Sequence, residues 1–143
     1  MQNFSGMTGS KLHILRLDPG DYLLESIQEL IARENIRNAV VISGIGTLDH
    51  CVLHMVMTTS YPPVEHFERW EDKPLELASI DGIIADGVPH LHMVVSDSEK
   101  AYAGHVEPGC RVLYLAELAI LEIDGIKLAR QKDMNEINKL TAL

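Results

Sequence analysis

From Gly87 to Ser96 the chain reads Gly-Val-Pro-His-Leu-His-Met-Val-Val-Ser. One set of alternate positions, Leu91, Met93 and Val95, is wholly apolar, and the other carries His90, His92, Val94 and Ser96. A period of two is the period of a strand, so the two sets face opposite ways. Two imidazoles two residues apart on one strand face can converge on a single ion. Gly104-His105 comes thirteen residues after His92, past a polar turn at 96–100, and can return a third imidazole alongside. The glycine predicts a close backbone approach there. Three histidines with one coordination place open are the donor set of a zinc-type or iron-type site. The same pattern also fits a polar strand face whose histidines are simply hydrogen-bonded.

The neighbouring stretches predict more strands and one helix. Lys11–Leu17 alternates and reads as a strand, with His13 on its polar face or at an edge. Asp18-Pro-Gly-Asp21 stops it and opens a helix, Asp21 being placed to cap free amides. Leu23, Ile27, Leu30 and Ile31 recur at helical spacing, so residues 21–34 are predicted as an amphipathic helix with Glu25, Gln28 and Glu29 toward water. Ala39–Ile42 is apolar at every position, predicting a central strand covered on both sides. Gly44 and Gly46 lack the GxGxxG spacing of a dinucleotide loop and predict a bulge or bend instead. His50–Thr59 alternates again and offers His54 as a fourth ligand if its strand neighbours the histidine strand.

Residues 61–73 read as a proline-containing connection whose Trp70 covers a sheet edge or anchors a ligand. Pro74–Asp81 reads as a strand carrying Glu76, and Cys110–Ile123 as a long buried strand carrying Glu117. A carboxylate in such a strand needs a partner or a site, so Glu76 and Glu117 are candidate bases or ligand-orienting groups; a solvated or interface face accounts for them equally well. A short strand is expected at 126–130 and a terminal helix at 133–142, from Met134, Ile137 and Leu140 spaced by three. Residues 1–10 are expected to be a loose leader, and 11–143 a single domain.

The net charge of −9 leaves no basic stripe for phosphates; the densest basic group is Lys127, Arg130, Lys132 and Lys139. No apolar run approaches the roughly 18 residues of a spanning helix. Cys51 and Cys110 have no CxxC spacing and read as buried free thiols in a reducing, cytoplasmic setting.

Taken in order, Arg16-Leu-Asp-Pro-Gly, Leu24-Glu-Ser-Ile, Ser43-Gly-Ile-Gly-Thr-Leu48 and Pro74-Leu-Glu-Leu-Ala-Ser-Ile80 resemble the plants-and-prokaryotes conserved (PPC) domain, which in plants is joined to an AT-hook. Pro89-His-Leu-His92, Gly104-His105 and Ala116-Glu117 extend the resemblance over residues 11–123. The chain departs from the family in having Asp81-Gly82 for a Gly-Asn pair and Ala103 for the first glycine of Gly-Gly-His. It has no AT-hook.

The resemblance implies an α+β fold, a mostly antiparallel mixed sheet with an amphipathic helix packed on it, assembled as a homotrimer. It also implies a metal, zinc or another divalent ion, on His90, His92 and His105. The function it implies is a regulatory or interaction module of a family labelled DNA-binding; that label sits poorly with the charge of −9 and the missing AT-hook. An alternative is a zinc-dependent enzyme on a small molecule, since zinc on three neutral imidazoles keeps its charge and acidifies water to a pKa of about 7. His-x-His followed by Gly-His also resembles a cupin barrel, but Ser96 stands where the cupin glutamate belongs.

Overall fold

The computed structural model describes residues 1–7 and 11–143. In chain order its elements are β1 (Gln2–Met7), β2 (Lys11–Leu17), α1 (Leu23–Glu34), β3 (Asn38–Val56), β4 (Glu65–Trp70), β5 (Leu75–Ala85), β6 (Val88–Ser96), β7 (Ala101–Val106), β8 (Arg111–Glu122), β9 (Leu128–Lys132) and β10 (Asn138–Ala142). Eight strands form one antiparallel sheet in the order β1-β2-β8-β3-β5-β6-β7, with β4 on β3, and β9 and β10 form a separate hairpin.

β3 organises the sheet. Its first part lies between β8 and β5, and its last part lies between β4 and β7. Register shifts against β8 between Val41 and Ser43, and again between Gly46 and Leu48, bend the strand where the two glycines stand. A Cβ on Gly44 would lie 2.2 Å from the Ile80 side chain, so only glycine fits at that bend. Once curved, β3 meets β7 through Leu53 opposite Val106 and His54 opposite His105. β3, β5, β6 and β7 thereby close into a ring.

The helix starts at Tyr22 without a side-chain cap and ends at Asn35 in the left-handed region, whose N–H returns to the last turn. Asp21 does not cap it: its carboxylate accepts the Asp18 amide at 3.0 Å within the turn. Gly20 donates to the Val112 carbonyl and Leu23 to the Cys110 carbonyl, tying the helix start to β8. Leu23, Leu24, Ile27, Leu30 and Ile31 are buried in one cluster with Leu15, Leu17, Val41, Leu91 and Ile120.

Four expectations change. Residues 2–7, read as a leader, form β1 paired to β2, and residues 8–10 lie outside the described residues. The first part of β3, read as covered on both sides, has one open face, since Ile42 and Ile45 are 54% and 53% exposed. Residues 133–142 form a turn and β10 rather than a helix, because Asp133 accepts the amides of Asn135 and Ile137 and reverses the chain. The connection at 61–73 contains β4, and its Trp70 is buried against Tyr102, with ring centroids 4.6 Å apart. Both cysteines are free and buried, and among the described residues no helix is long and apolar enough to cross a membrane.

Candidate metal centre

Strand register draws the histidines together. On β6, His92 stands opposite Asp81 of β5 on one side and His105 of β7 on the other. His105 stands opposite His54 of β3, and His54 opposite Phe67 of β4. Directly opposed residues project to the same face, so five side chains form one row across five strands. Ring centroids lie 5.4 Å apart for His92 and His105, 4.5 Å for His105 and His54, and 5.2 Å for His54 and Phe67. His90, two residues along β6, brings its ring to 4.8 Å from that of His105.

Gly104 makes this convergence possible. A Cβ there would lie 2.7 Å from the His54 carbonyl oxygen and 3.2 Å from the Leu53 Cβ. With glycine, β7 comes close enough to β3 to set His105 beside His54.

His90, His92 and His105 each offer a ring nitrogen, and the three lie within 4.8 Å of one another. The His90 and His92 Nε2 atoms are 3.3 Å apart. Zinc–nitrogen bonds of 2.0–2.1 Å at a tetrahedral angle place two donor atoms about 3.3 Å apart, so this pair has the spacing a tetrahedral ion requires. Electrostatics agrees with that geometry. Burial, then the nearby charges of Arg130 and His92, hold His90 below the ordinary histidine value. Burial, aided by His54 and His90, takes His105 down to about 4 against a weaker opposing pull from Glu107. Both imidazoles are therefore neutral at pH 7, the form that binds metals. Arg130, on β9, has a buried Nε without a hydrogen-bond partner.

The candidate carboxylates lie elsewhere. Glu76 is opposite Ser96 and Thr47, four residues along β6 from His92 and so about 13 Å away at strand rise. It lines a depression of about 360 Å³ with Thr47, Ser96, Asp97 and Tyr114. Glu117 is exposed on β8, opposite Arg16 and Ile45. The acidic groups beside the histidines are Asp81 and Glu107. Glu107 Oε1 lies 2.6 Å from His54 Nδ1, a pairing that orients the ring. Glu107 follows His105 by two residues, the period that already linked His90 to His92, so its signal was present in the sequence.

The model of the Plants and Prokaryotes Conserved domain (PCC, also written PPC) matches residues 4–124. The chain belongs to this family. Its PCC domain therefore takes in the histidine row and ends before the β9–β10 hairpin that carries Arg130. A curated relative is the bifunctional protein GlmU of Synechococcus sp., 26% identical over 124 residues, which are 86% of this chain and 18% of that protein. The PCC chain spans a fifth or less of the curated relatives it matches.

Solved structures share the fold. A hypothetical protein from Salmonella enterica superposes with a TM-score of 0.78 at 22% identity, covering 98% of both chains. The metal-containing protein AF0104 of Archaeoglobus fulgidus gives 0.77 at 21%, covering 98% of this chain and 96% of that one. A Bacteroides thetaiotaomicron protein with a provisional DNA-binding label gives 0.77 at 16%, covering 97% and 96%.

Proposed function

We propose that this PCC domain is a homotrimeric metal-binding module that acts in regulation or interaction, with zinc or another divalent ion held by His90, His92 and His105. The observation that carries the reading is the 3.3 Å separation of the His90 and His92 Nε2 atoms, with neutral His105 completing the set. Three imidazoles leave one coordination place, and a bound ion would supply Lewis acidity there. The metal-containing A. fulgidus relative is in keeping with this assignment. The exposed Ile42 and Ile45 on β3 and Tyr114 and Leu115 on β8 favour a subunit interface over the open face of the central strands. The buried Leu23, Ile27 and Leu30 support a helix seated on the sheet.

Some fold neighbours carry a DNA-binding label, but the basic groups here favour a protein or small-molecule partner. Lys11 pairs with Glu34, Arg37 with Asp86, Lys73 with Asp97, Arg111 with Asp49, Lys132 with Glu136 and Lys139 with Asp133. Such pairing leaves little free positive charge for a phosphate backbone. The exposed His92 and the adjacent Asp81 favour, as a second reading, a zinc-dependent enzyme acting on a small molecule at the open position.

The test is metal content and mass in solution on protein purified without added metal. We expect about one zinc or iron per chain in a trimer, and loss of that co-purified ion in His92→Ala with the fold intact. Metal-free wild type that also fails to take up added zinc would end the reading.

A further inference from the structure

We propose that His54, His105 and Glu107 form a second metal seat, of two imidazoles and one carboxylate, which takes a divalent first-row transition ion as an alternative to the three-histidine seat. One donor atom from each of these three residues lies within 4.8 Å of the others. The set draws on β3, on β7 and on the turn after β7, so it depends on the ring closure that places His54 opposite His105.

The carboxylate is held in place by the backbone. Glu107 donates its amide to the Val52 carbonyl at 3.1 Å, two residues from His54. The Cys110 thiol, buried below, lies 3.3 Å from the Glu107 carbonyl oxygen and 3.5 Å from that of Val52. The turn is thus fixed to β3 on both sides of Glu107, and its side chain reaches His54 at 2.6 Å. All three residues are half-buried, enough to keep donors ordered while leaving an ion a way in.

The two seats differ in chemistry. Three imidazoles bring no charge, whereas the second seat brings one negative charge and a harder oxygen donor, which moves preference toward manganese and iron relative to zinc. They share His105, and a neutral imidazole has one lone pair, so His105 serves one ion at a time. The chain therefore holds one ion in either of two positions. Exchange between them releases His90 and His92 as His54 and Glu107 engage.

Cobalt(II) is the probe, added to the full chain and followed by its visible spectrum and by bound metal after ultrafiltration. We expect His90→Ala/His92→Ala to retain about one cobalt per chain with a spectrum different from wild type, and added Glu107→Gln to cut that binding at least tenfold. A folded double variant that binds no cobalt, or one whose binding is unchanged by Glu107→Gln, would overturn the second seat. If the double variant does not fold, His90→Gln/His92→Gln carries the same comparison. Wild type without metal would remove the three-histidine reading and leave this test standing, because the double variant measures the second seat by itself.

Discussion

Gly104→Ala tests the link between backbone approach and metal binding. An added Cβ would lie 2.7 Å from the His54 carbonyl oxygen, against about 3.3 Å for an ordinary carbon–oxygen contact. β7 must therefore retreat by about 0.6 Å from backbone that cannot swing aside, because β3 is held by other strands. Overpacking of this kind costs about 2 kcal/mol, or a fall in Tm of about 4–8 °C for a chain of this length. His105 rides on the strand that moves, while His90 and His92 stay on β6. Metal sites tolerate about 0.2 Å of error, so cobalt affinity should fall about tenfold or more. Gly125→Ala is the control: Gly125 has φ of +78° and a Cβ added there would meet nothing within 4 Å, so the substitution should lower Tm without weakening cobalt binding. The assay is a cobalt titration with thermal unfolding on the same samples. Wild-type affinity in Gly104→Ala would refute the claim that this close approach positions His105.

Other outcomes follow from burial and charge. His105 falls from 6.5 to about 4 on folding, so between those pH values the unfolded chain binds a proton that the fold refuses. Its effect is absent above pH 6.5, grows as pH falls, and levels off below 4; His105 is partly exposed, so metal-free protein should lose about 1 kcal/mol from pH 7 to 5. Urea midpoints should show this loss, and His105→Gln should flatten it. Leu30→Ala removes a fully buried helix side chain and should cost about 3 kcal/mol by urea unfolding; a cost under about 1 kcal/mol would mean the helix contributes little to the core. Ile45→Asp puts a charge on the open face of β3 and should convert the proposed trimer to monomer by light scattering without loss of secondary structure. A trimer that survives it would place the interface elsewhere.

Where local pattern decides structure, the sequence was readable. Lys11–Leu17 and the histidine strand keep their alternation because each buries one face, and α1 keeps a stripe of Leu and Ile at helical spacing. The His90–His92 pair is local in the same sense. His13, expected on the polar face or at an edge, instead lies buried on the side of Leu15 and Leu17, with Glu122 2.7 Å from its ring. What was hidden depends on partners far away in sequence. His54 was visible as a fourth ligand if its strand neighboured the histidine strand; it neighbours β7 instead, and its place beside His105 comes from a strand pairing across about fifty residues, set by the bends at Gly44 and Gly46. The open face of β3 escaped notice because a run of apolar residues looks alike whether both faces of its strand are covered or one is left open. At 133–142 a spacing of three over ten residues cannot separate a helix from a hairpin, and the Asp133 side chain decided for the turn.

The row of opposed side chains gives the site a fixed scale. Neighbouring strands lie about 4.8 Å apart in any sheet, and the rings of His92, His105 and His54 follow one another at 5.4 and 4.5 Å. The distances between donors are thus inherited from backbone hydrogen bonding and do not depend on which side chains end the row. Asp81 at one end and Phe67 at the other can be exchanged without disturbing that scale. A sheet of this kind can change its chemistry at the two ends of the row while the histidines between them keep their separation.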